Sequence, residues 1–460
     1  MPQFTFHNTF LFVLLAVLVL GASLYSLTGK PAVWFDEGIF LHTSRVLAEE
    51  GRFGVQVAPD TFEDATIITV GYPLLVPVAL ATKLFGPGIF TARMIMVLFI
   101  MGFVACFFLL AKRLYGHRAA FLAAFLLASF APLYGVGKSV IGEVPGLFFF
   151  TFGLLFLHTV ETQFQTLGRR KIYAFTLLAG LGFGLAASTK PAFLVLVGAL
   201  IMGVLWRIRF WKQDLYVLLS GAVGFALPLI VWMRTQFGST LNLGWILEFY
   251  ANPYQLAPEA ITGLITTNLF RFVTESTPVH FTLLLLGCVV FFAIKFYKKE
   301  TIHSTEIVVL VFVLCMLAAY LRTPGWYRYF FPAHVMLFLF LPAALVRIER
   351  ALVPRLRFVS SGVLIALIVV QLGHFYQEEH GYSLDTTARA RIYMQTIIPE
   401  SHVLFYNSGE LSYLYPHKNF SQYFGINDGL KIGEFNLAKL ESGAFDMLAI
   451  PGAYLDESVD

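Results

Sequence analysis

Residues 91–111 read TARMIMVLFIMGFVACFFLLA, and Lys112 and Arg113 follow at once. An apolar run of that length reads as a helix crossing a bilayer, since lipid offers the backbone no outside hydrogen-bond partner. Working outward, runs of spanning length recur at about 10–27, 119–135, 144–160, 172–189, 191–206, 214–232, 279–295, 305–321, 329–346 and 357–373. With 91–111 they give about eleven spans, dominated by Phe and Leu. Composition points the same way. Hydrophobic residues make up 58% of the 460 and charged residues 13%, with a mean hydropathy of +0.73. A soluble domain carries about 25% charge, so lipid is the solvent for most of this chain. The expected fold is an all-α polytopic membrane protein with an interfacial helix in its first external loop and a small C-terminal α/β domain.

Charge placement sets the sidedness. Sixteen of the 32 basic residues fall in five short alternate loops, among them Lys112, Arg113 and Arg118, Arg169 to Lys171, and Arg347 to Arg357. The positive-inside rule makes these loops cytoplasmic. It also makes the short, proline-bearing stretch Tyr72 to Phe85 re-entrant or interfacial. The chain then divides into a transmembrane domain, 1–373, and an extracytoplasmic domain, 374–460. The tail holds five basic and twelve acidic residues, a net of −7 that suits the outer side. Its pattern predicts a helix over Asp385–Ile397, a strand at His402–Tyr406, a helix near 434–441 and a strand over Phe445–Ile450. The net charge of +4 thus records membrane orientation and not a nucleic-acid footprint. The first run lacks a basic flank before it, which favours an uncleaved anchor over a signal peptide. Gly180, Gly182 and Gly184 follow no strand, so they read as close helix packing and not as a dinucleotide loop. Cys106, Cys288 and Cys315 lie in apolar runs without metal-type spacing and read as small buried hydrophobes.

Unusual residues collect in the external loops. Trp34-Phe35-Asp36-Glu37-Gly38 leads into a stretch, Ile39 to Glu50, with one apolar and one polar face, as in a helix lying in the interface. Asp36 is there either as an N-cap or as a catalytic carboxylate, at roughly even odds on local grounds. Glu143 in Gly142-Glu143-Val144-Pro145 sits at a membrane edge, where an acid is costly without water or a partner. Gly137-Lys138-Ser139 imitates the end of a phosphate loop, but Pro132 stands where that loop needs glycine, leaving Lys138 as a single phosphate contact. Lys190 lies in Thr189-Lys190-Pro191. Arg322 and Tyr327-Arg328-Tyr329 belong to an aromatic-rich loop before Pro332. Snorkelling explains Arg322 as readily as anion binding does. Aromatic faces beside a forked donor suit a sugar next to a phosphate at Tyr327, Arg328 and Tyr329.

Taken in order, the early Asp36-Glu37, the Tyr72-Pro73-Leu74 segment ending in Lys83-Leu84-Phe85-Gly86-Pro87, Glu143-Val144-Pro145, Thr189-Lys190-Pro191 and Arg328-Tyr329-Phe330-Phe331-Pro332 resemble the GT-C superfamily. The nearest group is the protein O-mannosyltransferases and lipid A aminoarabinose transferases. The resemblance covers about the first 350 residues, with the tail similar only in kind. Tyr72-Pro73 departs from the two prolines relatives often carry. The resemblance implies a glycosyltransferase, hexosyl or pentosyl, that takes its sugar from a polyprenyl phosphate outside the membrane. The first acidic motif is implicated in its catalysis. Asp36, Glu37 and Glu143 are then the expected catalytic residues, with Asp36 the base. Lys138, Lys190, Arg322, Tyr327, Arg328 and Tyr329 are the expected contacts to donor phosphate and sugar.

Some superfamily members use a divalent metal, which Asp36 and Glu143 are the residues to hold. The expected partners are the polyprenyl-phosphate sugar donor, membrane lipids and an acceptor glycan, lipid or protein, with no nucleic acid. The expected location is the plasma (inner) membrane, multi-pass. The rival reading is a polytopic transporter or lipid flippase. Against it, no inverted repeat is visible and the charges gather on one side instead of recurring at mid-span. A non-catalytic scaffold is the third reading.

Overall fold

The structure, a computed structural model, describes residues 6–64, 66, 68–212, 214–238, 244, 252, 256–351, 359–381, 386–427, 430–435 and 437–450. Among these, seven helices are long and apolar enough to cross a membrane: Ile89–Tyr115, Glu143–Gln163, Arg169–Thr189, Leu215–Phe237, Ser276–Tyr297, Ser304–Leu321 and Phe331–Arg350. The pair His117–Ala128 and Ala131–Gly137, bent by 60°, brings the number to eight if it is one broken span. The break falls at Pro132, placed at the start of the second piece, where its missing N–H costs nothing. Further apolar helices lie over three of the expected spans: Phe6–Leu24 of 19 residues, Val359–Gly381 of 23 residues, and Pro191–Trp206. The protein is therefore a multi-pass membrane protein, with seven helices of spanning length among the described residues.

Packing inside the bundle is close. A Cβ added at Gly180 would lie 2.1 Å from the Gly221 carbonyl, and one at Gly184 would lie 2.4 Å from that of Phe225. These glycines let Arg169–Thr189 and Leu215–Phe237 meet backbone to backbone, as expected for small residues between membrane helices. Phenylalanines fill the remaining space, with Phe103, Phe107, Phe150, Phe291 and Phe312 buried in one continuous core. All three cysteines are free; Cys288 is buried and the other two half-buried.

The polar end is built from two separate parts of the chain. Phe35–Glu50 forms a helix, followed by a hairpin of β1 (Gly54–Ala58) and β2 (Thr61–Asp64) that the sequence reading does not include. Tyr72–Phe85 is a helix of 14 residues. At 1.5 Å per residue it is about 21 Å long, short of a ~30 Å hydrocarbon core. In the tail, β3 (Val403–Tyr406), β4 (Phe420–Asn427), β5 (Leu430–Ile432) and β6 (Met447–Ala449) form one sheet in the order β5-β4-β3-β6. The pairs β3–β4 and β3–β6 are parallel and β4–β5 is antiparallel. Helices Thr386–Thr396, Gly409–Leu414 and Leu437–Glu441 accompany the sheet. The expected strands appear as β3 and β6. The sequence reading misses β4, where Ser421, Gln422, Gly425 and Asn427 interrupt the apolar alternation, and β5, which is only three residues long.

Among the described residues, the tail shares its buried core with the first loop. Ile39, Phe40 and Leu41 share a buried cluster with Val55, Leu74 and Leu75, and with Val403, Phe405, Tyr415 and Phe420 of the tail. Gly38 faces Gly409 so closely that a Cβ would lie 2.3 Å from the Gly409 carbonyl. Polar bonds flank this seam: Gln56 donates to the Lys418 carbonyl at 2.9 Å, and Lys418 pairs with Glu50 at 2.9 Å. The tail is thus fixed onto the first loop by a shared apolar core.

Candidate active site

Four chain segments deliver the charged residues to one end of the bundle, and each is stopped there by local chemistry. Pro191 ends the Arg169–Thr189 helix, leaving Lys190 extended at φ −152°. Gly142, at φ 89°, makes the left-handed turn that places Glu143 in the first turn of the next helix. Tyr327–Tyr329 is a single 3₁₀ turn that precedes the proline-started helix Phe331–Leu337. Asp36 lies in the first turn of Phe35–Glu50, where the helix dipole favours a carboxylate. The N-cap position belongs to Trp34, and no side chain caps this helix. Capping is therefore not the role of Asp36.

Asp36 instead pairs with Arg328, whose Nη1 donates to Oδ2. The guanidinium is packed among aromatic rings, 4.9 Å from Trp326, 5.0 Å from Tyr329 and 5.8 Å from Trp34. Its Nη2 donates to the Tyr329 hydroxyl at 3.3 Å, while its buried Nε has no hydrogen-bond partner. Burial alone would lower the Arg328 pKa, but Asp36, Tyr329 and Glu143 outweigh it and hold the group above the ordinary arginine value. It is a fixed positive charge with one donor to spare. Lys190 pairs with Glu143, donates to the Ile141 carbonyl at 3.1 Å and sits 5.8 Å from the Tyr329 ring. Tyr329 thus stands between the two cations.

These groups face a cavity of about 480 Å³, lined by Asp36, Lys190, Arg328 and Tyr329 at its polar part. Ile68, Leu194, Val195, Met316 and Ala319 supply an apolar wall, and Phe424, Gly425 and Ile432 of the tail close the far side. Small-molecule sites fall in the range of about 300–1,000 Å³ and are mostly apolar with a few convergent polar groups. This cavity has that form.

The other expected residues sit elsewhere. Glu37 is fully buried, its two oxygens taking Arg93 Nε at 3.0 Å and Nη2 at 2.8 Å, with the Val140 N–H at 3.1 Å. Arg93 also donates to the Leu27 carbonyl at 2.9 Å, so the pair ties the first helix's exit to two others. Lys138 is buried and donates to the Tyr25 carbonyl at 2.8 Å. Tyr327 turns into the bundle, where its hydroxyl meets His334 Nδ1 at 3.0 Å. Arg322 is exposed and does not line the cavity. Glu143 stands one residue behind the cavity, reaching it through Lys190. The expectations for Glu37, Lys138, Tyr327 and Arg322 therefore meet a structure that places their side chains away from the cavity.

Sequence reasoning missed Arg93 and the lining role of the tail. Arg93 had a signal: a lone arginine inside an apolar run needs an acidic partner. The tail had none, because Phe424 and Ile432 are ordinary apolar residues until the fold carries them over the cavity. The Asp36–Glu143 metal set is a poor fit. Each carboxylate already meets a cation, so Lys190 and Arg328 bring positive charge to the point where a divalent ion would add two more.

Comparison with known proteins bears on the architecture. Residues 74–233, about a third of the chain, match the family model of dolichyl-phosphate-mannose-protein mannosyltransferases. No curated protein sequence matches. Among solved structures, ArnT from Cupriavidus metallidurans bound to undecaprenyl phosphate superposes with a TM-score of 0.62 at 16% identity, over 89% of this chain and 85% of that one. The Archaeoglobus fulgidus oligosaccharyltransferase, in a complex with Zn and sulfate, superposes with a TM-score of 0.59 at 12% identity, over 89% of this chain and 62% of the other. At such identities the likeness is one of architecture: the chain shares the fold of ArnT and of that oligosaccharyltransferase.

Proposed function

We propose that this protein is an integral-membrane glycosyltransferase that moves a sugar from a polyprenyl-phosphate-linked donor to an acceptor on the extracytoplasmic face. One observation carries the proposal. A carboxylate, two cations and an aromatic ring converge on a cavity that is polar at one part and apolar along the wall. A lipid-linked sugar phosphate has the same division: an apolar tail, an anionic head and a sugar that rings can stack against.

The chemistry follows from the placement. The acceptor hydroxyl oxygen attacks the anomeric carbon of the sugar while the bond from that carbon to the phosphate oxygen breaks. Asp36 takes the hydroxyl proton, and the polyprenyl phosphate leaves with the electron pair. Arg328 and Lys190 stabilise the charge that grows on the phosphate, in a site partly shielded from water. Asp36 and Arg328 neutralise one another. An incoming phosphate competes for Arg328 and frees Asp36 to act as a base. The family match and the likeness to a protein bound to undecaprenyl phosphate support a lipid phosphate as the donor. The charges gathered at this one end support transfer chemistry over transport.

The deciding experiment is sugar transfer by the purified protein in lipid, tested over a set of polyprenyl-phosphate sugars with glycan, lipid and peptide acceptors. Transfer from one donor is expected, and turnover with none of them would overturn the reading. Sidedness has its own test in a cysteine-free variant. Cysteine at the exposed tail position Ser442 should react with an impermeant reagent in intact cells, and cysteine at the exposed loop position Thr301 should not. Ser360 and Ser383, the positions the sequence alone would suggest for this test, carry side chains outside the described residues.

A further inference from the structure

We propose that the opposite end of the bundle holds a divalent transition-metal ion of the zinc class, bound by His158, Glu161 and His303. His158 and Glu161 lie three residues apart on the Glu143–Gln163 helix, so they share a face. His303 is the residue that starts the Ser304–Leu321 helix. One ligand atom from each of the three lies within 4.8 Å of the others. The two imidazole rings stand 5.1 Å apart at 86°, and His303 Nδ1 is 3.7 Å from Glu161 Oε1. Tetrahedral zinc with bonds of ~2.0–2.2 Å sets its ligand atoms about 3.4 Å apart, so side-chain rotations that draw these three atoms together by up to about an ångström would close the site.

The second observation is what these side chains lack. His158 and Glu161 are 5% and 6% exposed, yet His158 Nδ1 and Glu161 Oε2 are buried without a hydrogen-bond partner. A buried polar atom left unpaired costs roughly 1–3 kcal/mol, and with His303 Nδ1 three such atoms belong to the same three-residue group. The other carboxylate oxygen is already fixed: Glu161 Oε1 accepts from Arg207 Nη1 at 2.5 Å and from the Ser304 N–H at 2.9 Å. That is how ligating carboxylates are held, with one oxygen oriented by hydrogen bonds and the other left for the metal.

Two neutral imidazoles and one carboxylate suit zinc or ferrous iron and not magnesium or calcium, which take oxygen ligands. This also separates the group from Asp36 and Glu143, which offer no nitrogen; Glu161 meets a single cation, Arg207, through its other oxygen. Along the helix from Glu143, His158 is 15 residues away, about 22 Å at 1.5 Å per residue, so the ion is remote from the cavity. Bound there, it would staple two spans that run from this end towards the cavity.

The test is metal content of the full-length protein purified without a histidine tag. Wild type and the exposed-site control His117→Ala should each bind about one Zn²⁺ per chain after dialysis. His303→Ala and Glu161→Gln should lose it, with affinity down by at least ~10-fold. A Co²⁺-loaded sample should show visible d–d bands that His303→Ala abolishes. Should Glu161→Gln fail to stay monodisperse because Arg207 is left unpaired, His303→Ala, at a half-exposed helix start, still decides. Less than stoichiometric Zn²⁺ in wild type at micromolar free metal would overturn the site. Undiminished binding by His303→Ala, meaning zinc held elsewhere, would do so too.

Discussion

Asp36 and Glu37 are neighbours in the sequence and belong to different regions of the molecule. Asp36 faces the cavity, 27% exposed, with Arg328 across from it. Glu37 faces the bundle, wholly buried, and binds Arg93 through both oxygens. In a helix, successive side chains point about 100° apart, so one adjacent pair can serve two surfaces. The difference shows why an acidic doublet cannot be assigned as a unit. The wall carboxylate keeps access to ligand and water, whereas the inner one is spent on holding three segments together.

The comparison is best broken by removing each charge without changing shape. Asp36→Asn should leave the protein folded and reduce transfer by about 10²–10⁴ in turnover, the range for losing a positioned base. Wild-type turnover in a well-folded variant would remove Asp36 from catalysis. Glu37→Gln should do the reverse. It strands the Arg93 guanidinium in the interior, which costs on the order of 3–5 kcal/mol, read as a lower denaturation temperature in detergent. A Glu37→Gln protein of unchanged stability but impaired turnover would move Glu37 into the active site.

Arg328→Lys sharpens the contrast on the cation side. Lysine keeps the charge but loses the fork, and with it one charge-assisted bond worth about 1.5–3 kcal/mol. The loss should appear as weaker donor use, about 10- to 150-fold in kcat/KM, with unaltered folding. Normal donor kinetics would reduce Arg328 to a structural partner of Asp36.

The smallest effect concerns the seam between the first loop and the tail. His42, buried in Phe35–Glu50, accepts the Gln56 N–H at 3.3 Å. Burial, reinforced by Arg45, pushes its pKa down from 6.5 to about 3. The folded state therefore keeps His42 neutral where the unfolded chain would protonate it. Its contribution is constant above about pH 6.5 and declines as the pH falls from there towards 3. Limited proteolysis should release the tail more readily across that window in wild type than in His42→Gln. Equal release would place the pH-sensitive contact elsewhere.

Membrane class and the α/β character of the tail were legible from one sequence. Spanning runs follow from the need to satisfy the backbone in lipid, a local requirement that each segment meets by itself. Loop charge and proline are likewise local, which is why Lys190 before Pro191 and Glu143 after Gly142 stood out. What sequence could not give was partnership. Nothing in the order of residues says that Asp36 takes Arg328 while Glu37 takes Arg93, or that Lys138 and Tyr327 turn inward. Nor does it say that Phe424 and Ile432 close a cavity begun at Trp34, or that His303 meets His158 and Glu161. Each of these is a meeting between segments distant in sequence, decided by which helix faces pack. The chain's local chemistry chose the elements, and only their mutual burial decided which of the charged residues face a ligand.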